Sequence, residues 1–167
     1  MDDRIFSMDG WLVPGRHEVE MDDIFEEFAP ASDNRRVEIW KALEILRSVC
    51  NEYFEGGVLL LAGSFVSRAA GPVFLPTIAI VPENQSDLTN WSDAMEERFM
   101  GFLSLHDIIV GALGPTYVPV LHPLSGCIEV LYCEPQDADQ LVLWMGTVTM
   151  SSGEDIVGAR GVLEVAW

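Results

Sequence analysis

The chain has 167 residues, 49% of them apolar and 22% charged, with 27 acidic side chains against 9 basic ones and a formal net charge of −18. That length and apolar content suit one folded domain spanning residues 1–167 and lie far from the compositions of disordered chains. The charge balance excludes a phosphate-gripping surface and so direct nucleic-acid binding, because between Arg68 and Arg160 the only basic residue is Arg98.

In chain order, residues 1–30 read as an N-terminal arm with a turn at Val13-Pro14-Gly15, followed by a short acidic helix from Met21 to Phe28 that Pro30 closes. Asp22, Asp23, Glu26 and Glu27 form the wet face of that helix and are candidates for an interface; with no His or Cys beside them they read as a solvated face, not a metal site. Ser32 or Asp33 can cap a longer helix over about Arg35 to Phe54, where Ile39, Leu43, Leu46, Cys50 and Tyr53 recur at steps of three and four. Gly56-Gly57 ends it, and Val58-Leu59-Leu60-Leu61-Ala62 is a continuous apolar run, as expected of a central strand covered on both faces.

Gly63-Ser64 opens a loop that runs through Gly71-Pro72 to a second strand, Thr77-Ile78-Ala79-Ile80-Val81, and the short connection predicts antiparallel or mixed pairing of the two strands. Asp87 or Thr89 can cap a further helix with Leu88, Trp91, Met95, Phe99 and Phe102 on its apolar side. The span Leu105 to Leu124, broken by glycines and prolines, reads as a short helix and a short strand. Cys127 to Cys133 alternates as a strand, Leu141 to Val148 is helix or strand, Ser151 to Asp155 is a polar loop, and Gly161 to Val165 is a last strand. The fold class is therefore α+β, a mixed and mostly antiparallel sheet with helices packed on it.

Cys50, Cys127 and Cys133 have no spacing that suggests a disulfide framework or a zinc site, and a reducing cytoplasm fits them. Neither a signal segment nor an apolar run long enough to cross a bilayer is expected. His17, His106 and His122 are too scattered to share a metal ion. Trp40 and Trp91 belong with apolar stripes, whereas Trp11 and Trp167, in less regular segments, are candidates for a protein interface.

One ordered set of landmarks carries a resemblance: Pro14-Gly15-Arg16-His17-Glu18, the Arg35-Arg36 helix, Ala62-Gly63-Ser64-Phe65-Val66, Cys127-Ile128-Glu129-Val130, and Ala159-Arg160-Gly161-Val162-Leu163-Glu164-Val165. Together they span nearly the whole chain, which resembles the nucleotidyltransferase-fold superfamily and, more closely, a small branch of it in bacteria and phage or other mobile elements. The resemblance implies that Gly63-Ser64 marks the nucleotide corner. It also implies that the next strand should hold magnesium with two acids spaced D-x-D and that a later strand should supply a third acid. Two neighbouring magnesium ions need several hard anionic oxygens. Here that strand reads Leu75-Pro76-Thr77-Ile78-Ala79-Ile80-Val81, without a carboxylate in either register, and Glu129 stands alone where the third acid falls.

The expectation is thus a catalytically degenerate nucleotidyltransferase-like protein that acts by protein–protein binding, with no cofactor and no catalytic residue. An acidic surface suits a partner with a basic one, and an antitoxin, immunity or phage anti-defence role fits such a protein. The alternatives are a nucleotide-binding sensor or sequestering module built on Gly63, Ser64, Arg68 and Glu129, and an active enzyme whose rearranged magnesium site joins Glu129 to Glu83 or Asp107.

Overall fold

A computed structural model of the chain describes residues 1–84, 91–104 and 124–167. Its centre is a five-stranded mixed sheet in the order β1 (Gly15–Glu18), β7 (Gly161–Ala166), β2 (Gly57–Ala62), β3 (Thr77–Pro82), β4 (Glu129–Tyr132). The inner ladders, β7 with β2 and β2 with β3, are antiparallel, whereas the outer ones, β1 with β7 and β3 with β4, are parallel. A separate small hairpin pairs β5 (Val148–Thr149) with β6 (Asp155–Ile156) across the loop that begins at Met150.

The apolar run of β2 ends up in the middle of the sheet, as its composition predicts. Successive strand side chains point to opposite faces: Leu59 and Leu61 enter a core shared with α1 (Met21–Phe28) and α2 (Asn34–Tyr53), while Leu60 and Ala62 join a second core beneath α4 (Ala138–Met145). Both faces of β2 are therefore dry, and each fully buried Leu contributes roughly 1.5–3 kcal/mol.

Helix α2 begins where Asp33 caps it, its Oδ1 accepting the Arg36 backbone N–H at 3.1 Å. Ile39, Leu43, Leu46, Cys50 and Tyr53 are all buried, so the three-and-four spacing does mark the inward face. Helix α3 (Asp93–Met100) is shorter than the sequence pattern suggests, with Ser92 at its cap; Asp87, Leu88 and Thr89 lie outside the described residues. Phe99 is buried against Tyr53, Phe54 and Trp91, but Met95 is exposed. The segment from Leu141 resolves into both alternatives, the end of α4 and then β5.

The N-terminal arm departs from expectation. It makes a 3-10 turn (Asp3–Ile5), folds back through a bridge between Phe6 and Leu12, buries Leu12, and then enters the sheet as edge strand β1. A four-residue strand of Gly-Arg-His-Glu with a mostly exposed surface carries no apolar alternation to announce it. Among the described residues, no helix is long and apolar enough to cross a membrane.

Candidate functional site

Antiparallel pairing of β2 and β7 brings the end of one to the start of the other, so Gly63 and Arg160 meet at one end of the sheet. The parallel register of β3 and β4 adds Thr77 and Glu129 at the same end. Gly63 turns the chain out of β2 at φ 103°, a conformation that side-chain-bearing residues rarely adopt. The following polar groups are then taken up by the fold. Ser64 Oγ accepts the Phe74 backbone N–H at 2.8 Å, and the Ser64 carbonyl accepts from Ser67 Oγ at 3.0 Å.

Arg36 fixes this corner from beneath. Its guanidinium donates to the carbonyls of Phe65 at 2.6 Å, Ser67 at 3.2 Å, and Ser64 and Phe28 at 3.4 Å. Burial pushes its pKa down and Asp33, 3.5 Å away, opposes that shift. Nothing in the local sequence sets this arginine apart from Arg35, which turns to Glu38 at 3.7 Å.

Arg68, the loop cation that the nucleotide-binding alternative would use, is held by the protein's own acids. Glu27 takes it through two bonds at 2.7 and 3.0 Å, Asp3 takes a third at 2.6 Å, and its guanidinium lies over the Phe6 ring at 4.1 Å. Hydrogen bonds to Glu27 and then Asp3 raise its pKa. The acidic helix face is thereby split: Asp22 and Glu26 are exposed, whereas Glu27 is bound to Arg68 and Asp23 lies 3.6 Å from the Met1 amino group.

Strand β3 presents no carboxylate on either face: Thr77 and the fully buried Ala79 alternate with Ile78 and Ile80, both also fully buried. Thr77 is the register partner of Glu129 and donates its hydroxyl to the Glu129 carboxylate. Glu83 is six residues along from Thr77, roughly 20 Å by strand rise, where its backbone N–H bonds to the Gly56 carbonyl at 2.9 Å. It therefore lies at the far end of the sheet and cannot share a metal ion with Glu129; Asp107 is outside the described residues. Among the described residues, no three His, Cys, Asp or Glu side chains are grouped to hold a metal ion.

The two tryptophans taken as interface candidates have different surroundings. Trp167 packs inward, its ring 6.1 Å from Phe54 and lodged against Gly57, with its indole nitrogen buried. Trp11 stacks beneath Arg160, whose guanidinium carbon is 3.3 Å from the ring centroid. Sequence reasoning passed over Arg160 as a site residue although it stands in a quoted landmark, because its proximity to Gly63 exists only through the β2–β7 ladder.

A profile of a family of unknown function, DUF6932, matches residues 5–106, more than half the chain. The chain belongs to this family. The DUF6932 match takes in Arg36, the Gly63-to-Arg68 corner and Thr77, whereas Glu129 and Arg160 lie beyond it. No curated protein and no solved structure matches the chain.

Proposed function

We propose that this chain is a catalytically degenerate nucleotidyltransferase-like protein that works by binding another protein, one with a basic surface, in a reducing cytoplasm. One observation carries the reading: the corner that would have to cradle a nucleotide is satisfied by the fold itself. Ser64 Oγ is engaged by Phe74, Arg68 is neutralised by Glu27 and Asp3, and β3 carries no carboxylate that could serve a metal ion in either register. An incoming triphosphate would have to displace two carboxylates from Arg68 without a metal pair to offset the loss. The net charge of −18 then favours fast, salt-sensitive encounter with a cationic protein surface. An antitoxin, immunity or phage anti-defence role fits such a protein.

The test joins three measurements. Incubation with labelled nucleoside triphosphates plus magnesium or manganese is expected to transfer no label, and calorimetry with ATP and GTP to give no saturable heat. Affinity capture from host lysate is expected to recover a specific basic protein at low salt and less of it at moderate salt. Label transfer would restore the enzyme reading, saturable nucleotide heat the sensor reading, and capture of nothing specific would remove the protein-binding one.

A further inference from the structure

Arg160 stands out among the cations of a strongly acidic chain. Arg4, Arg16, Arg35, Arg36, Arg68 and Arg98 each have a carboxylate partner, whereas among the described residues Lys41, Arg47 and Arg160 have none, and of these three only Arg160 lies over an aromatic ring. It is half-buried, and its backbone is fixed, the N–H donating to the Gly146 carbonyl at 3.0 Å. Desolvation lowers its pKa, with the charge of Asp9 the opposing influence. Stacking over Trp11 occupies one face of the guanidinium and leaves the N–H edges for other partners, the geometry in which arginine binds a planar carboxylate through two parallel bonds.

Two cavities share Trp11, Leu12 and Arg160 as walls. The smaller, about 120 Å³, is completed by Gly63, Thr147 and Gly161 among others. A β-carbon built on Gly63 would have no neighbour nearer than 3.5 Å, so the bare glycine leaves space there. The larger, about 270 Å³, runs along apolar side chains that include Val13, Val148, Met150 and Ile156, with Asp9 at its wall. A single guanidinium balances one negative charge, and a phosphoryl group near neutrality carries up to two; in a chain of net charge −18 the monoanion is favoured. The small cavity next to Gly63 suits the head group, and the apolar one suits a short hydrocarbon body.

We propose that Trp11 and Arg160 form a binding site for a short amphipathic carboxylic acid, its carboxylate on the Arg160 guanidinium and its apolar body along Val148, Met150 and Ile156. The site is independent of the protein-binding reading: a chain that captured no partner would still take up the acid. The probe is sodium hexanoate, compared with acetate, phosphate and chloride at matched ionic strength, titrated into nitrogen-15-labelled protein while the indole N–H signals are followed by NMR. The Trp11 signal is assigned from its loss in Trp11→Phe.

Hexanoate is expected to move the Trp11 signal saturably, and acetate, four methylenes shorter, to bind about a hundred times more weakly or less tightly still, since each methylene buried is worth about three- to four-fold. Asp9→Asn should tighten hexanoate a few-fold by removing a neighbouring negative charge. Arg160→Lys should weaken it about ten-fold, because the paired bonds are lost, and Arg160→Gln should abolish it with the other four indole signals in place. An undiminished shift in Arg160→Gln would overturn the proposal, as would chloride or phosphate moving Trp11 as far as hexanoate does. If Arg160→Gln fails to fold, Arg160→Lys decides: hexanoate affinity equal to the parent's would also remove the site.

Discussion

Arg36 sits in the first turn of α2, yet its guanidinium serves residues about thirty positions away, closing off the carbonyls of Ser64, Phe65 and Ser67. Replacing it with Met keeps the stem and strands those carbonyls in a half-buried setting, which costs on the order of 3 kcal/mol. Urea unfolding of Arg36→Met should show that loss, with Arg36→Lys intermediate; parent-like midpoints in both would mean that water serves the carbonyls equally well. At the other extreme of exposure, Arg4 holds the Asp2 carboxyl at about 2 against an ordinary 3.8, first through its side-chain hydrogen bond and then through its backbone N–H. A carboxylate depressed in the folded state adds stability that is present above 3.8 and lost as pH falls toward about 2. The pair is solvent-exposed, so the place to look is the NMR titration of Asp2, which should move back toward 3.8 in Arg4→Ala. Cys50 illustrates the opposite shift: burial pushes its thiol up to about 12, keeping it neutral and unreactive. Native protein at pH 8 should therefore leave Cys50 unlabelled by iodoacetamide until urea unfolds the chain.

Among the elements, α2 and β2 were legible because a period of 3.6 and an unbroken apolar run are properties of local sequence, and burial on one face or two follows from them directly. Strand β1 was not, since its membership in the sheet depends on β7, more than 140 residues away. The same reason hid half the candidate site. Gly63, Ser64 and a β3 strand without carboxylates could be read in order, but that Arg68 belongs to Glu27 and Asp3, or that Arg160 reaches the Gly63 corner, follows from pairings no short window contains. The β1–β7 junction offers a test of such long-range dependence. A β-carbon on Gly161 would collide with the carbonyls of Val13 and Gly15 and with the His17 ring, so only glycine allows the two strands this approach. Arg16 reinforces the junction, bonding to Glu164 at 3.1 Å and to Asp139 of α4 at 2.6 Å. Gly161→Ala is expected to open β1 locally, raising amide hydrogen exchange at residues 15–18 well above the parent's while Leu59 to Leu61 stay protected. Equal protection at both places would show that the collision relaxes without loss of pairing.

For the whole molecule, the decisive quantity is the imbalance of 27 acidic against 9 basic residues, in which most arginines are already spent on internal carboxylates. Pairing leaves many acids facing solvent with like neighbours, and self-repulsion of that kind opposes the compact state. Two effects then compete when salt is added: repulsion among exposed carboxylates is screened, which stabilises, and the exposed ion pairs are screened too, which destabilises. The second is small, because pairs such as Arg4–Asp2 and Arg98–Glu52 lie on the surface, where water already screens them. Repulsion summed over a net charge of −18 should prevail. Raising sodium chloride from about 10 to about 200 mM, which shortens the screening length from roughly 30 Å to below 10 Å, is therefore expected to increase the thermal midpoint by several degrees. A midpoint that falls over the same range would mean that the paired arginines, and Arg68 and Arg16 above all, outweigh the repulsion; Arg68→Gln should then abolish most of that fall.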